Sequence, residues 1–118
     1  MKKIISIIAI IVTATIVLMA CGSKPNTMTQ ETYENGKRAL EVMEKYIDFQ
    51  IDKDEAEDRL YSIREALDEE RKGIDDVLQN TDNLLVSTSI HHFILAMDGI
   101  SSVSIYDEAE TLRGYLKP

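Results

Sequence analysis

A chain of 118 residues with 21 acidic and 13 basic side chains has room for one small domain and lacks the basic face that nucleic acid demands. Beyond the first twenty positions 37 of 98 residues are apolar, an ordinary share for a globular fold and too high for a disordered acidic tail. The single cysteine, Cys21, excludes an internal disulfide.

At the N-terminus, Lys2 and Lys3 precede Ile4 to Ala20, a run of Ile, Val, Ala, Leu and Met interrupted only by Ser6, Thr13 and Thr15. This is the outline of an export signal. Its 17 residues sit at the lower limit for spanning a hydrocarbon core about 30 Å thick, so length alone leaves a permanent anchor open. The ending Leu18-Met19-Ala20-Cys21-Gly22 resembles the lipobox of bacterial lipoproteins: Leu three places before the cut, a small residue just before it and Cys after it. Met19 is bulkier than the residue usual at its place.

The resemblance implies diacylglyceryl transfer to the Cys21 sulfur and signal-peptidase cleavage between Ala20 and Cys21. It also implies palmitate-type acyl chains holding the protein on the extracytoplasmic face of the cell membrane. Only a thiolate is nucleophilic enough to form the thioether, so Ser at position 21 cannot substitute. Two buried acyl chains, at about 0.8 kcal/mol per CH₂, attach a protein durably where one is marginal. Losing Lys2 and Lys3 leaves 11 basic against 21 acidic residues, a net charge of −10 that anionic headgroups repel. Lipid, not surface charge, is then what holds the chain. The expected organisation is a signal peptide over 1–20, the lipidated Cys21 with a polar tether over 21–28, and an acidic helical domain over 29–118. Eight flexible residues reach about 15 Å, which keeps the domain near the bilayer.

Within the domain, Tyr33, Gly36, Leu40, Met43 and Ile47 recur at spacings of three and four, with Ala39, Val42, Tyr46 and Phe49 widening the same face. These predict a helix over about 29–49. Asp52 can cap the next helix and Glu55 can return the bond, and Ala56, Leu60, Ile63 and Leu67 repeat the spacing until it weakens at Lys72-Gly73, although Ile74, Val77 and Leu78 could continue the helix beyond it. Gln79 to Asn83 reads as a polar turn, followed by a very apolar helix from Leu84 to Met97 that stops at Asp98-Gly99. Ser104 caps a short last helix carrying Ile105, Ala109, Leu112 and Leu116. The fold class is therefore all-α, a small antiparallel bundle of three longer helices plus a short C-terminal one. The apolar helix needs a cover, which the matching stripe of the last helix is expected to supply.

Chemistry is sparse. A calcium loop starting at Asp52 fails, since Ala56, Glu57 and Ile63 fall where a ligand, a Gly and a bidentate Glu belong. His91 and His92 point about 100° apart on a helix and cannot share one metal ion. Ser87, Thr88 and Ser89 lie near His91 without a nucleophile elbow or an orienting carboxylate at helical spacing. Asp68, Glu69 and Glu70, beside Arg71 and Lys72, read as a solvated helix end. No catalytic residues, metal site or cofactor are expected. The sequence points to a lipid-anchored envelope lipoprotein whose helical domain is a non-enzymatic interaction module for another envelope protein; small-ligand or cation binding is the alternative.

Overall fold

The computed structural model describes residues 24–118, which form four α-helices: α1 Gln30–Ile47, α2 Lys53–Lys72, α3 Val77–Met97 and α4 Ile105–Tyr115. Three longer helices and a short C-terminal one make the expected all-α architecture. Each follows its predecessor antiparallel. Thr32 near the start of α1 meets Glu70 near the end of α2, Lys53 at the start of α2 meets Asp98 at the end of α3, and Glu108 in α4 lies near His92 in α3. The bundle thus has two ends. One holds the starts of α1 and α3 with the α2–α3 connection; the other holds the α1–α2 and α3–α4 connections.

Side-chain caps fix the helix starts. Thr29, Asp52, Asp76 and Ser104 each accept a hydrogen bond from the backbone N–H three residues on, which satisfies one of the orphan donors of a first turn. Asp52 caps α2 as expected, whereas Glu55 turns outward to Arg59 rather than back to the cap.

The core takes most of the residues the periodicity marks: Tyr33, Ala39, Val42 and Met43 from α1; Ala56, Leu60, Ile63 and Leu67 from α2; and Ala109, Leu112 and Leu116 closing from α4, with Val86, Ile90, Phe93 and Ile94 from the apolar α3, while Leu40, Ile47 and Ile105 are only partly buried against it. Tyr46 meets Phe93 edge-on at 6.3 Å between ring centroids. Met28, just before α1 in the stretch read as a tether, also joins this core.

Two expectations need correction. Gln79 to Asn83 is not a turn: α3 starts at Val77, capped by Asp76, and runs through it. Tertiary hydrogen bonds override the turn preference of these residues, since Asn83 is fully buried among partners from α1 and α2. Phe49 does not face the core either. Helix α1 ends at Ile47, and Phe49, in the connection beyond it, is 93% exposed.

The cover over α3 extends along one half only. Helix α4, with 11 residues, is about 16 Å long, against about 31 Å for the 21 residues of α3. Running back from the α3–α4 connection, it reaches as far as Leu116, which sits over Gly36 beside Val86. From Val86 onward α3 buries Ser87, Ser89, Ile90, Phe93 and Ile94; before it, Leu84 and Leu85 remain exposed.

Candidate interaction surface

The acidic run at the end of α2 is built differently from a solvated helix end. Asp68 pairs with Arg71 at 2.7 Å and the exposed Glu69 with Lys72 at 2.8 Å, but Glu70 turns inward. It accepts hydrogen bonds from Thr29 Oγ1 (2.5 Å), Thr32 Oγ1 (2.6 Å) and Asn83 Nδ2 (3.0 Å). Asn83 Nδ2 also donates to the Leu67 carbonyl, and Asn83 Oδ1 accepts from Arg71 at 3.0 Å. This satisfied polar network locks α1, α2 and α3 together at one end, and its members face one another. An open hollow of about 700 Å³ beside it, lined by Glu65, Asp68, Glu69, Arg71, Lys72 and Asn80, is walled largely by charges already paired among themselves.

The histidines sit apart from any such cluster. His91 Nδ1 lies 3.2 Å from Arg64 Nη1, and the half-exposed His92 has Nδ1 3.9 Å from the buried Glu108. His92 therefore does have a carboxylate nearby, supplied by α4, where spacing along α3 could not reveal it. Ser87 and Ser89 are buried. Among the described residues no group of three or more His, Cys, Asp or Glu side chains comes together to hold a metal ion. Ala20 and Cys21, the expected cleavage and lipidation residues, lie outside the described residues.

The other end of the bundle carries exposed apolar side chains on a tied frame. Lys53 Nζ is 2.6 Å from Asp98 Oδ1 and 4.0 Å from Glu57 Oε1, and Glu57 shares a hydrogen bond with Asp98. Burial, then the hydrogen bond to Asp98 and its charge, raise the Glu57 carboxyl above its ordinary value. The hydrogen bonds from Lys53 and Glu57 hold Asp98 below its own. The clasp joins the two connections that bear Phe49, Ile100 and Val103, with Tyr106 in the first turn of α4; all four side chains are exposed.

Both connections leave their helix by the same device. In each, the residue two past the helix end takes a left-handed backbone, its N–H and that of the next residue bonding back to the last turn. Phe49 N–H goes to the Tyr46 carbonyl and Gln50 N–H to Lys45; Gly99 N–H goes to Ala96 and Ile100 N–H to Leu95. Gly99, at φ 72°, fills the position with the residue that suits it. Phe49, at φ 60°, fills the equivalent position with a bulky aromatic that the conformation disfavours and that packing does not reward.

No protein-family model, curated protein or solved structure matches this chain.

Proposed function

We propose that this chain is a lipid-anchored lipoprotein of the bacterial cell envelope, held on the extracytoplasmic face through Cys21, and that its helical domain is a non-enzymatic module that binds another envelope protein. The observation that carries the interaction reading is Phe49. An aromatic ring almost wholly in solvent, in a backbone conformation that Gly99 fills at the matching turn, costs stability and returns no packing. Aromatic side chains are the usual anchors of protein interfaces, and Ile100, Val103 and Tyr106 give the same end further apolar surface. The anchoring reading is supported by Leu18-Met19-Ala20-Cys21. No helix among the described residues is long and apolar enough to cross a membrane.

Two measurements test the proposal in cells. Labelled fatty acid is expected on the wild-type chain and not on Cys21→Ser; label on Cys21→Ser overturns the anchoring reading. A photo-crosslinking side chain at Gln50, next to Phe49, is expected to capture one defined envelope protein, and the same capture is lost when Phe49→Ala is added. Capture that survives Phe49→Ala overturns the role of this surface.

A further inference from the structure

The uncovered half of α3 lies at the opposite end from Phe49, where the chain leads back to Cys21. Val77, Thr81 and Leu84 follow one another at spacings of four and three along its outer side, with Leu78 and Leu85 beside them; all five are exposed. Asp82, at the edge of this face, is the single Asp, Glu, Lys or Arg residue of α3. Outer faces of α1 and α2, by contrast, carry charges throughout, including Glu31, Glu34, Glu41 and Glu44 on α1.

The segment that precedes α1 is fastened to this place. Thr27 Oγ1 donates to Asp82 Oδ2 at 2.5 Å, and Met28 is buried in the core, so this segment is pinned one helical turn from both Leu78 and Leu85. Six residue steps separate Thr27 from Cys21, and a fully extended chain spans at most about 22 Å over six residues. The anchor therefore stands within about 22 Å of Thr27.

We propose that Val77, Leu78, Thr81, Leu84 and Leu85 rest on the lipid surface that holds the anchor, so that the first half of α3 meets the membrane and Phe49 stands at the far end of the bundle from it. The inference rests on the lipid anchor at Cys21. Its occupant is the bilayer because the nearest large apolar surface within reach of so short a tether is the one into which Cys21 inserts. The uncharged face suits an interface held by apolar contact, and α3, although 21 residues long, is not apolar enough to cross a membrane.

The chain contains no Trp, so single replacements serve as depth reporters. The lipidated full-length product, matured from its own precursor in a bacterium, is placed in phosphatidylcholine vesicles whose acyl chains carry bromine. Flotation with the vesicles is recorded on the same samples. Fluorescence of Leu84→Trp and of Leu78→Trp is expected to fall at least about twofold relative to unbrominated vesicles, since interfacial side chains sit about 5–10 Å into the headgroup and acyl boundary. Tyr106→Trp, at the far end, is expected to be unchanged. Proteins that float with Leu84→Trp and Leu78→Trp both unquenched overturn this proposal and leave the anchor standing. Crosslinking of a second copy through this face, without quenching, overturns it in favour of self-association. Failure to float, with no fatty acid on Cys21, removes the anchor and this inference together.

Discussion

A Cβ added to Gly36 in α1 would stand 2.7 Å from Leu116 Cδ2, so the short last helix seats its final apolar side chain directly on helix backbone. The same Cβ would meet Val86 Cγ1 at 3.4 Å, which makes Gly36 the point where α1, α3 and α4 converge. Its place on the periodic apolar face of α1 is thus explained by close approach.

Two opposed effects act on Gly36→Ala. The exchange gains about 1 kcal/mol of helix propensity. Overpacking against Leu116 costs about 1–3 kcal/mol. The expected result in the wild-type background is neutral to destabilising, whereas in a Leu116→Ala background the same exchange stabilises by about 1 kcal/mol. Urea unfolding of the four proteins in the cycle measures this. Equal effects in both backgrounds would mean that Leu116 does not press on Gly36.

The network around Asn83 gives a second prediction. Asn83→Ala leaves the Leu67 carbonyl, Glu70 and Arg71 each short of a partner, with an expected loss of about 1–3 kcal/mol. Asn83→Asp costs more at pH 7, because the new carboxylate faces Glu70 and no longer donates to it. Denaturant unfolding of both variants at pH 7 checks the ordering, and an Asn83→Asp that costs no more than Asn83→Ala would count against charge repulsion as the cause.

The Lys53–Asp98–Glu57 clasp predicts a pH dependence with a definite sign. The Glu57 carboxyl is raised above its ordinary 4.5, chiefly by burial, so its contribution is fully present below 4.5 and is lost as pH rises through the folded value. Asp98, held below 3.8 first by the Lys53 hydrogen bond, contributes above 3.8 and loses that contribution as pH falls through its folded value. The clasp is therefore strongest near pH 4 and weakens toward neutrality as Glu57 gives up the proton it shares. Glu57→Gln, which keeps a donor for Asp98 without a titrating proton, is expected to raise the melting temperature at pH 7 and to change it little at pH 4. A shift of equal size at both pH values would sink this account.

Helices whose apolar residues recur at three and four were legible because burial follows that spacing: Ala56, Leu60, Ile63 and Leu67 are each buried as the pattern requires. The caps at Asp52 and Ser104 and the stop at Gly99 were legible because local hydrogen bonding dictates them. What remained hidden depends on partners distant along the chain. Asn83 looks like a turn residue until Thr32, Leu67, Glu70 and Arg71 are placed around it, and Asn80, donating to the Arg71 and Ile74 carbonyls, helps to close the connection that lets α3 start early. The inward turn of Glu70 and the half-cover of α3 by α4 are tertiary in the same sense. Of the interaction surface, the sequence supplied Phe49 but placed it on the wrong side, because two residues past the helix end its direction is set by a left-handed turn and not by helical period.

That turn supplies the last prediction, which separates stability from function at one residue. A residue other than glycine in the left-handed region costs about 1–2 kcal/mol, while glycine loses about 0.5–1 kcal/mol through its freer unfolded chain. Because the Phe49 ring is almost wholly exposed, little packing is lost with it. Phe49→Gly is therefore expected to stabilise the domain by up to about 1 kcal/mol, a rise of several degrees in melting temperature for a domain of this size. Phe49→Ala, which removes the ring and keeps the backbone cost, is expected to stay within about 0.5 kcal/mol of wild type. If the ring is the anchor for an envelope protein, both variants lose the in-cell crosslink although neither is less stable. A domain that gains stability while losing its partner would identify Phe49 as a residue kept for binding against the interest of the fold. Destabilisation by Phe49→Gly would instead reveal packing by the ring, and a crosslink undiminished in both variants would move the binding surface elsewhere.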